Sequence, residues 1–137
     1  MNNIKFEPPA ATDLLDRDLT EVAALIRAGG ISPVDITRAQ LHRIAARDGT
    51  LRSYACVTAA WALQAAQAAE AEIRGGRYRG PLHGIPIALK DLCRQKGVPV
   101  APGTMVLRDA PADHDASVVR RLREAGAVLL GQLQMTE

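Results

Sequence analysis

Lysine is used sparingly in this chain: of 17 basic residues, 14 are arginines and three are lysines, Lys5, Lys90 and Lys96. Arginine keeps its charge in any protein setting, whereas a lysine amine can give up its proton. Lys90 ends the apolar run Ile85-Pro86-Ile87-Ala88-Leu89, a place from which the backbone aims a side chain into or beside a core. An ordinary lysine, with a pKa of about 10.4, is neutral in only about one molecule in 2,500 at pH 7 and makes a poor base. An apolar surround lowers that value, and bringing it to about 7 to 8 costs on the order of 4 kcal/mol, which the rest of a fold must offset. The chemistry such a lysine could supply is proton abstraction. Composition and pattern alone favour instead a strand-end lysine that snorkels to water or pairs with Asp91.

Other residues have weaker claims. Cys93 lies two positions beyond Asp91 and invites a thiol nucleophile, but nothing beside it in sequence supplies a base or oxyanion donors, which leaves a half-buried structural thiol. Cys56 and Cys93 show no CxxC or His partner at ligand spacing, so they read as two reduced thiols rather than a zinc site or a disulfide. Asp113-His114-Asp115 suggests a metal, yet consecutive side chains diverge and Asp115 suits a helix cap. His83 is either a proton shuttle or a hydrogen-bonding loop residue. Arg74-Gly75-Gly76-Arg77-Tyr78-Arg79-Gly80 looks like an RNA-binding segment, but a single copy with one aromatic reads better as a solvated turn.

The elements that must position Lys90 follow from capping and periodicity. Asp18 caps a helix over about 19–28 with Val22, Leu25 and Ile26 inward and Gly29-Gly30 as the stop. Ser32-Pro33-Val34-Asp35 starts a second helix with a capping box, a stripe of Val34, Leu41, Ile44 and Ala45, and an end at Asp48-Gly49. A short strand over 54–57 precedes a third helix opened by Thr58 and reaching about Ile73, in which eight of the first thirteen residues from Ala59 are alanine. Alanine suits a helix pressed against a sheet. Residues 75–81 form a loop, and 82–89 an approach followed by a buried strand. After an irregular stretch with Gly97, Pro99, Pro102 and Gly103, Asp115 caps a helix over 116–125 with Val118, Val119 and Leu122 inward. Gly126 ends that helix, and Ala127 to Gly131 form a hydrophobic strand. A helix leading straight into such a strand predicts an α/β layer with parallel or mixed strands covered by helices, taken here as a mixed sheet flanked by helices behind a helical lead-in.

With 137 residues, 47% apolar and 23% charged, the chain suits one ordinary soluble domain and neither a disordered tail nor a fibre. Its aromatics are only Phe6, Tyr54, Trp61 and Tyr78, so the core is aliphatic. A net charge of +2 is too balanced to attract polyanions, which argues against a nucleic-acid partner. The start, Met1 to Pro9, lacks an apolar leader, and no stretch reaches the roughly 18 apolar residues of a membrane span. A cytoplasmic protein without membrane contact is expected. The last strand is followed at once by Gln132 to Glu137, which looks like a cut through a larger domain and leaves that strand short of neighbours.

Gly80-Pro81-Leu82-His83-Gly84-Ile85-Pro86-Ile87-Ala88-Leu89-Lys90-Asp91 and Lys96-Gly97-Val98-Pro99 resemble the first signature block of the amidase signature family. Asp115-Ala116-Ser117-Val118-Val119 with Leu122, then Ala125 to Gly131, then Met135-Thr136-Glu137, resemble the helix and strand after it. The likeness is dense over 80–137 and looser over 18–79. It implies a partial amidase signature fold: an extended segment over 1–17, a mainly helical part over 18–79, and the start of the α/β core over 80–137, all within one domain. It also implies a hydrolase of carboxylic amides working through a Ser, cis-Ser and Lys triad, with Lys90 as the lysine, no cofactor, no metal, and a small-molecule amide as substrate. Ser32, Ser53 and Ser117 are the chain's serines, and none sits in the glycine- and serine-rich segment where the family keeps its two. The isolated chain is thus expected to be inactive. Leu92-Cys93 and Gln132 depart from residues frequent in relatives without touching the catalytic role. A tRNA-dependent amidotransferase of the A type, or a non-catalytic remnant or interaction module of the same fold, remains open.

Overall fold

The computed structural model describes residues 14–99 and 111–135. Most of the segment expected to be extended over 1–17 lies outside these, as do Pro102, Gly103, Thr136 and Glu137. Residues 14–16 turn rather than extend, because Leu14 and Leu15 pack on the first helix.

Helix α1 spans Leu19–Arg27, and the Asp18 carboxylate caps it by accepting from the Glu21 N–H at 3.0 Å. Helix α2 spans Pro33–Leu51 with Ser32 accepting from the Val34 and Asp35 N–H groups at 3.0 and 3.2 Å. Asp35 faces Arg38 across 3.8 Å of exposed surface. The expected stop at Asp48-Gly49 fails: α2 continues to Leu51 and closes at Arg52, which takes a left-handed φ of 50°. Asp48 ends the helix from within, its carboxylate accepting from the Ser53 and Tyr54 N–H groups at 2.7 and 3.2 Å. Ala45, expected inward, is exposed.

Strand β1 is Tyr54–Val57 and helix α3 is Ala59–Arg74. Thr58 makes no side-chain cap. It reaches across instead, its hydroxyl donating to the Leu129 carbonyl at 3.3 Å and its N–H to that of Leu130 at 2.9 Å, which pins the start of α3 to the sheet. Strand β2 is Pro86–Lys90, helix α4 Ser117–Glu124 and strand β3 Val128–Leu133. Asp115 does not cap α4 either. Its carboxylate accepts from the Lys96 N–H at 2.7 Å and pairs with Arg123 at 3.2 Å, two partners that outbid the helix terminus. Val118, expected inward, is 48% exposed, whereas Val119 is fully buried.

The sheet is mixed, in the order β1-β3-β2, with β3 antiparallel to β1 and parallel to β2. The last strand is therefore central, not short of neighbours, and the open edges belong to β1 and β2. Alternation along β3 explains why it reads as an unbroken apolar run. Val128 and Leu130 pack with Val34 of α2 and Ala62 and Ala66 of α3, while Leu129 packs with Leu89 of β2 and Val119 of α4. Each of these valines and leucines contributes about 1.5–3 kcal/mol on burial, the alanines less. Gly131 lets β1 approach: a Cβ there would stand 2.1 Å from the Cys56 carbonyl oxygen.

Candidate active site

Lys90 is the last residue of β2 and sits opposite Leu133 on β3. Because the two strands are parallel, their carboxyl ends coincide, the side of an α/β sheet at which ligands gather. Leu89 is 5% exposed beneath α4, and pleating sends the next residue to the opposite face. Lys90 is half-buried, and no ion pair of Lys90 occurs among the described residues. The pairing with Asp91 allowed by sequence is absent from those ion pairs; Asp91 itself is buried at 2% exposure, its N–H donating to the Leu133 carbonyl at 3.0 Å.

The backbone around Lys90 is tightly held. The Cys93 N–H donates to the Lys90 carbonyl at 2.9 Å, closing a turn directly after the strand. Gln132, fully buried on β3, donates from Nε2 to the Cys93 carbonyl at 3.1 Å. The Ala116 N–H then donates to the Arg94 carbonyl at 2.8 Å, tying the same loop to the start of α4. Gln132 thus holds the turn that presents Lys90, a task sequence reasoning missed. The signal was present as a polar residue inside an apolar strand, which needs a partner when buried.

Of the serines, Ser32 caps α2, Ser53 precedes β1 and Ser117 begins α4. Ser53 reaches the same end of the sheet as Lys90, since Tyr54 also pairs with Leu133. With β3 between them, the backbones of Tyr54 and Lys90 are two strand spacings apart, about 10 Å. Cys93 is a half-buried free thiol packed on the Leu89, Val119 and Leu129 cluster, and Cys56 is likewise free.

His83 belongs to a different part of the molecule. It is 1% exposed, its Nδ1 accepts from the Arg79 N–H at 3.1 Å, and its Nε2 lies 3.4 Å from a Glu72 carboxylate oxygen. The loop-bonding reading of this histidine holds. Burial, and then the Arg79 charge, push its pKa below the ordinary value, with Glu72 pulling the other way. Arg79 binds Glu72, its Nε donating at 2.7 Å, and so holds that carboxylate below its usual range. Arg79 also donates to the Arg123 and Glu124 carbonyls at 3.3 and 3.2 Å, capping the end of α4. The other arginines of the RNA-like segment include Arg74, paired with Glu70 at 3.2 Å. Among the described residues no three His, Cys, Asp or Glu side chains are placed to hold a metal, and Asp115 of the Asp-His-Asp run is occupied by Lys96 and Arg123. No helix of the described residues is long and apolar enough to cross a membrane.

Comparison with known proteins assigns the class. The profile of the family described as Amidase matches residues 35–137, and the chain belongs to this amidase signature family. It is 50% identical over 120 residues to AmiD of Mycobacterium tuberculosis, named as a proposed amidase, covering 88% of this chain and 25% of that protein. It is 41% identical over 126 residues to the A-type subunit of the glutamyl-tRNA(Gln) amidotransferase of Acidothermus cellulolyticus, covering 92% of this chain and 25% of that one. Among solved structures, the native peptide amidase of Stenotrophomonas maltophilia superposes with a TM-score of 0.81 at 40% identity, covering 86% of this chain and 24% of the other. The chain spans about a quarter of the length of these relatives.

Proposed function

We propose that this chain is the lead-in and first part of the α/β core of an amide-hydrolysing enzyme of the amidase signature family, with Lys90 as the base of a Ser, cis-Ser and Lys triad. The observation that carries the reading is a half-buried lysine at the carboxyl end of a parallel strand, without a carboxylate partner among the described residues. A lysine paired to a carboxylate would be held charged; one free to be covered can take a proton from a serine hydroxyl, which then attacks the amide carbonyl while the proton passes on to the leaving amine. The reading requires the cover, both serines and the oxyanion donors to come from residues outside those described. The substrate is a small-molecule amide, with neither nucleic acid, membrane nor cofactor involved, and two free thiols support a reducing, cytoplasmic setting. Amidotransferase activity is the second reading, favoured by the 41% identity to the glutamyl-tRNA(Gln) amidotransferase chain of A. cellulolyticus; a non-catalytic remnant is the third.

The test is a chimaera in which this chain replaces the matched quarter of the M. tuberculosis relative, assayed on simple aryl and alkyl amides. Hydrolysis that Lys90→Ala lowers by about 10³-fold or more fits a lost triad base. An active chimaera indifferent to Lys90→Ala overturns the assignment.

A further inference from the structure

The loop over 77–84 ties together elements that come from distant parts of the chain. The Arg79 guanidinium binds Glu72 of α3 and donates to the Arg123 and Glu124 carbonyls at the end of α4. The Gly84 N–H donates to the Gly126 carbonyl at 2.9 Å, in the turn before β3. At the centre lies the buried His83 ring, whose Nδ1 is 3.1 Å from the Arg79 backbone nitrogen. A backbone N–H can only donate, so Nδ1 is unprotonated and the neutral ring carries its proton on Nε2. An imidazolium is protonated on both nitrogens and has no acceptor, so a charged ring would set N–H against N–H. Turning the ring over offers no escape: Cδ2 would take the place of Nδ1 and accept nothing. The ring is also wedged against Gly126, where a Cβ would overlap it. Protonation of His83 and its bond from Arg79 therefore exclude one another.

The charged groups facing the ring divide. Arg79 and Arg77 of the loop oppose a second positive charge, and Glu72 of α3, 3.4 Å from Nε2, favours it. Arg123 of α4 shares a wall with the ring but is paired with Asp115 at 3.2 Å. Arg27 of α1 sits over the Tyr78 ring, itself 6.0 Å from that of His83. Burial disfavours the charge, and the lowered pKa of His83 agrees with the geometry. Glu72, kept ionised by Arg79, already stands where an imidazolium would compete for it.

We propose that the 77–84 loop is an acid-operated latch: protonation of His83 expels the Arg79 N–H, draws Glu72 from Arg79 to the histidine, and frees the carboxyl end of α4 while α2 stays folded. Once Arg79 leaves, the last carbonyls of α4 lose a charged donor that satisfies them and complements the helix dipole. The release is local because α2 carries its own cap at Ser32 and packs through Val34 on the cluster with Ala62, Ala66, Val128 and Leu130, none of which touches the latch bonds. Its size follows from proton linkage. If only the open loop binds the proton, with the ordinary histidine pKa of about 6.5, the ratio of open to closed loop rises about tenfold per pH unit below that value. The latch lies at the start of β2, away from Lys90 at its end, and does not depend on the role proposed for that residue.

The experiment is ¹H–¹⁵N NMR with hydrogen exchange on the 137-residue chain between about pH 7.5 and 4.5, a range that brackets the histidine pKa. Protection of the Arg79 and Gly84 amides, corrected for the intrinsic pH dependence of exchange, should fall about tenfold per unit below about pH 6.5. The same curve should appear in the ¹⁵N shifts of the His83 ring. Amides inside α2, such as Leu41 and Ile44, should keep their protection. His83→Asn places a side-chain oxygen where Nδ1 stood and does not titrate, so its Arg79 amide should stay protected across the range. Protonation of the His83 ring with Arg79 protection unchanged overturns the latch. So does a loss shared equally by Leu41 and Ile44, which is general unfolding, or the same acid-dependent loss in His83→Asn. Should that variant not fold, the ring and amide curves of the parent decide by themselves.

Discussion

Replacing Gly131 by alanine tests whether β3 is the middle of the sheet. The added Cβ would lie 2.1 Å from the Cys56 carbonyl oxygen and 2.9 Å from Val57 Cα. Both are backbone atoms, so no side chain can swing aside and β1 must retreat by about 1 Å to restore ordinary contact. The φ of 153° at this glycine adds strain, about 1–3 kcal/mol for a residue with a side chain in a sparsely populated region. Retreat of β1 weakens one or two ladder hydrogen bonds at about 0.5–1.5 kcal/mol each. The sum is a loss of about 2–6 kcal/mol, or a fall in Tm of about 5–25 °C for a chain of this size. Far-UV circular dichroism melts and urea titrations would read it. Gly49→Ala is the control: it lies inside α2 with nothing within 4 Å of the new Cβ, and should stabilise by about 0.5–1 kcal/mol. If both substitutions shift Tm by less than about 5 °C, β1 is not seated on β3 and the sheet order is wrong.

Further expectations concern the histidine, the buried glutamine and the isolated chain. Because the folded pKa of His83 is lowered from an ordinary value of about 6.5, the unfolded chain binds the proton more readily. Its contribution to stability is then complete above about pH 6.5 and declines as pH falls from there toward the lowered folded value. Denaturation midpoints across that window should slope for the parent and flatten for His83→Gln; equal slopes would refute the burial argument. Gln132→Met removes the bond to the Cys93 carbonyl but also an Oε1 without a partner. The two effects oppose, so global stability should change by no more than about 1 kcal/mol, while hydrogen exchange at the Cys93 amide accelerates; a loss above about 3 kcal/mol would show a larger network. Under the role proposed for Lys90, the 137-residue chain alone should not turn over a simple aryl amide, since a base without its nucleophile has no acyl-enzyme route. Turnover by the purified chain that Lys90→Ala abolishes would contradict this.

Much was legible in the residues themselves. Asp18 and Ser32 cap their helices as read, because an N-cap is a local bond between a side chain and an N–H three positions on or fewer. The order of helices and strands follows from periodicity, and the segment from Gly80 to Asp91 carried enough pattern to suggest the family that residues 35–137 match. Three things were decided only in three dimensions. Asp115 and Thr58 sit where caps belong yet serve Lys96, Arg123 and Leu129, partners distant in sequence whose approach no local rule foresees. The last strand of the chain became the centre of the sheet because pairing joins it to β1, some seventy positions earlier, through the gap that Gly131 leaves. And the surroundings of Lys90, held in its turn by Gln132 across the strand, exist only once β2 and β3 lie side by side: residue types name the chemistry a chain can attempt, while burial and neighbours, which are properties of the packed fold, determine whether a given amine or carboxylate is placed to perform it.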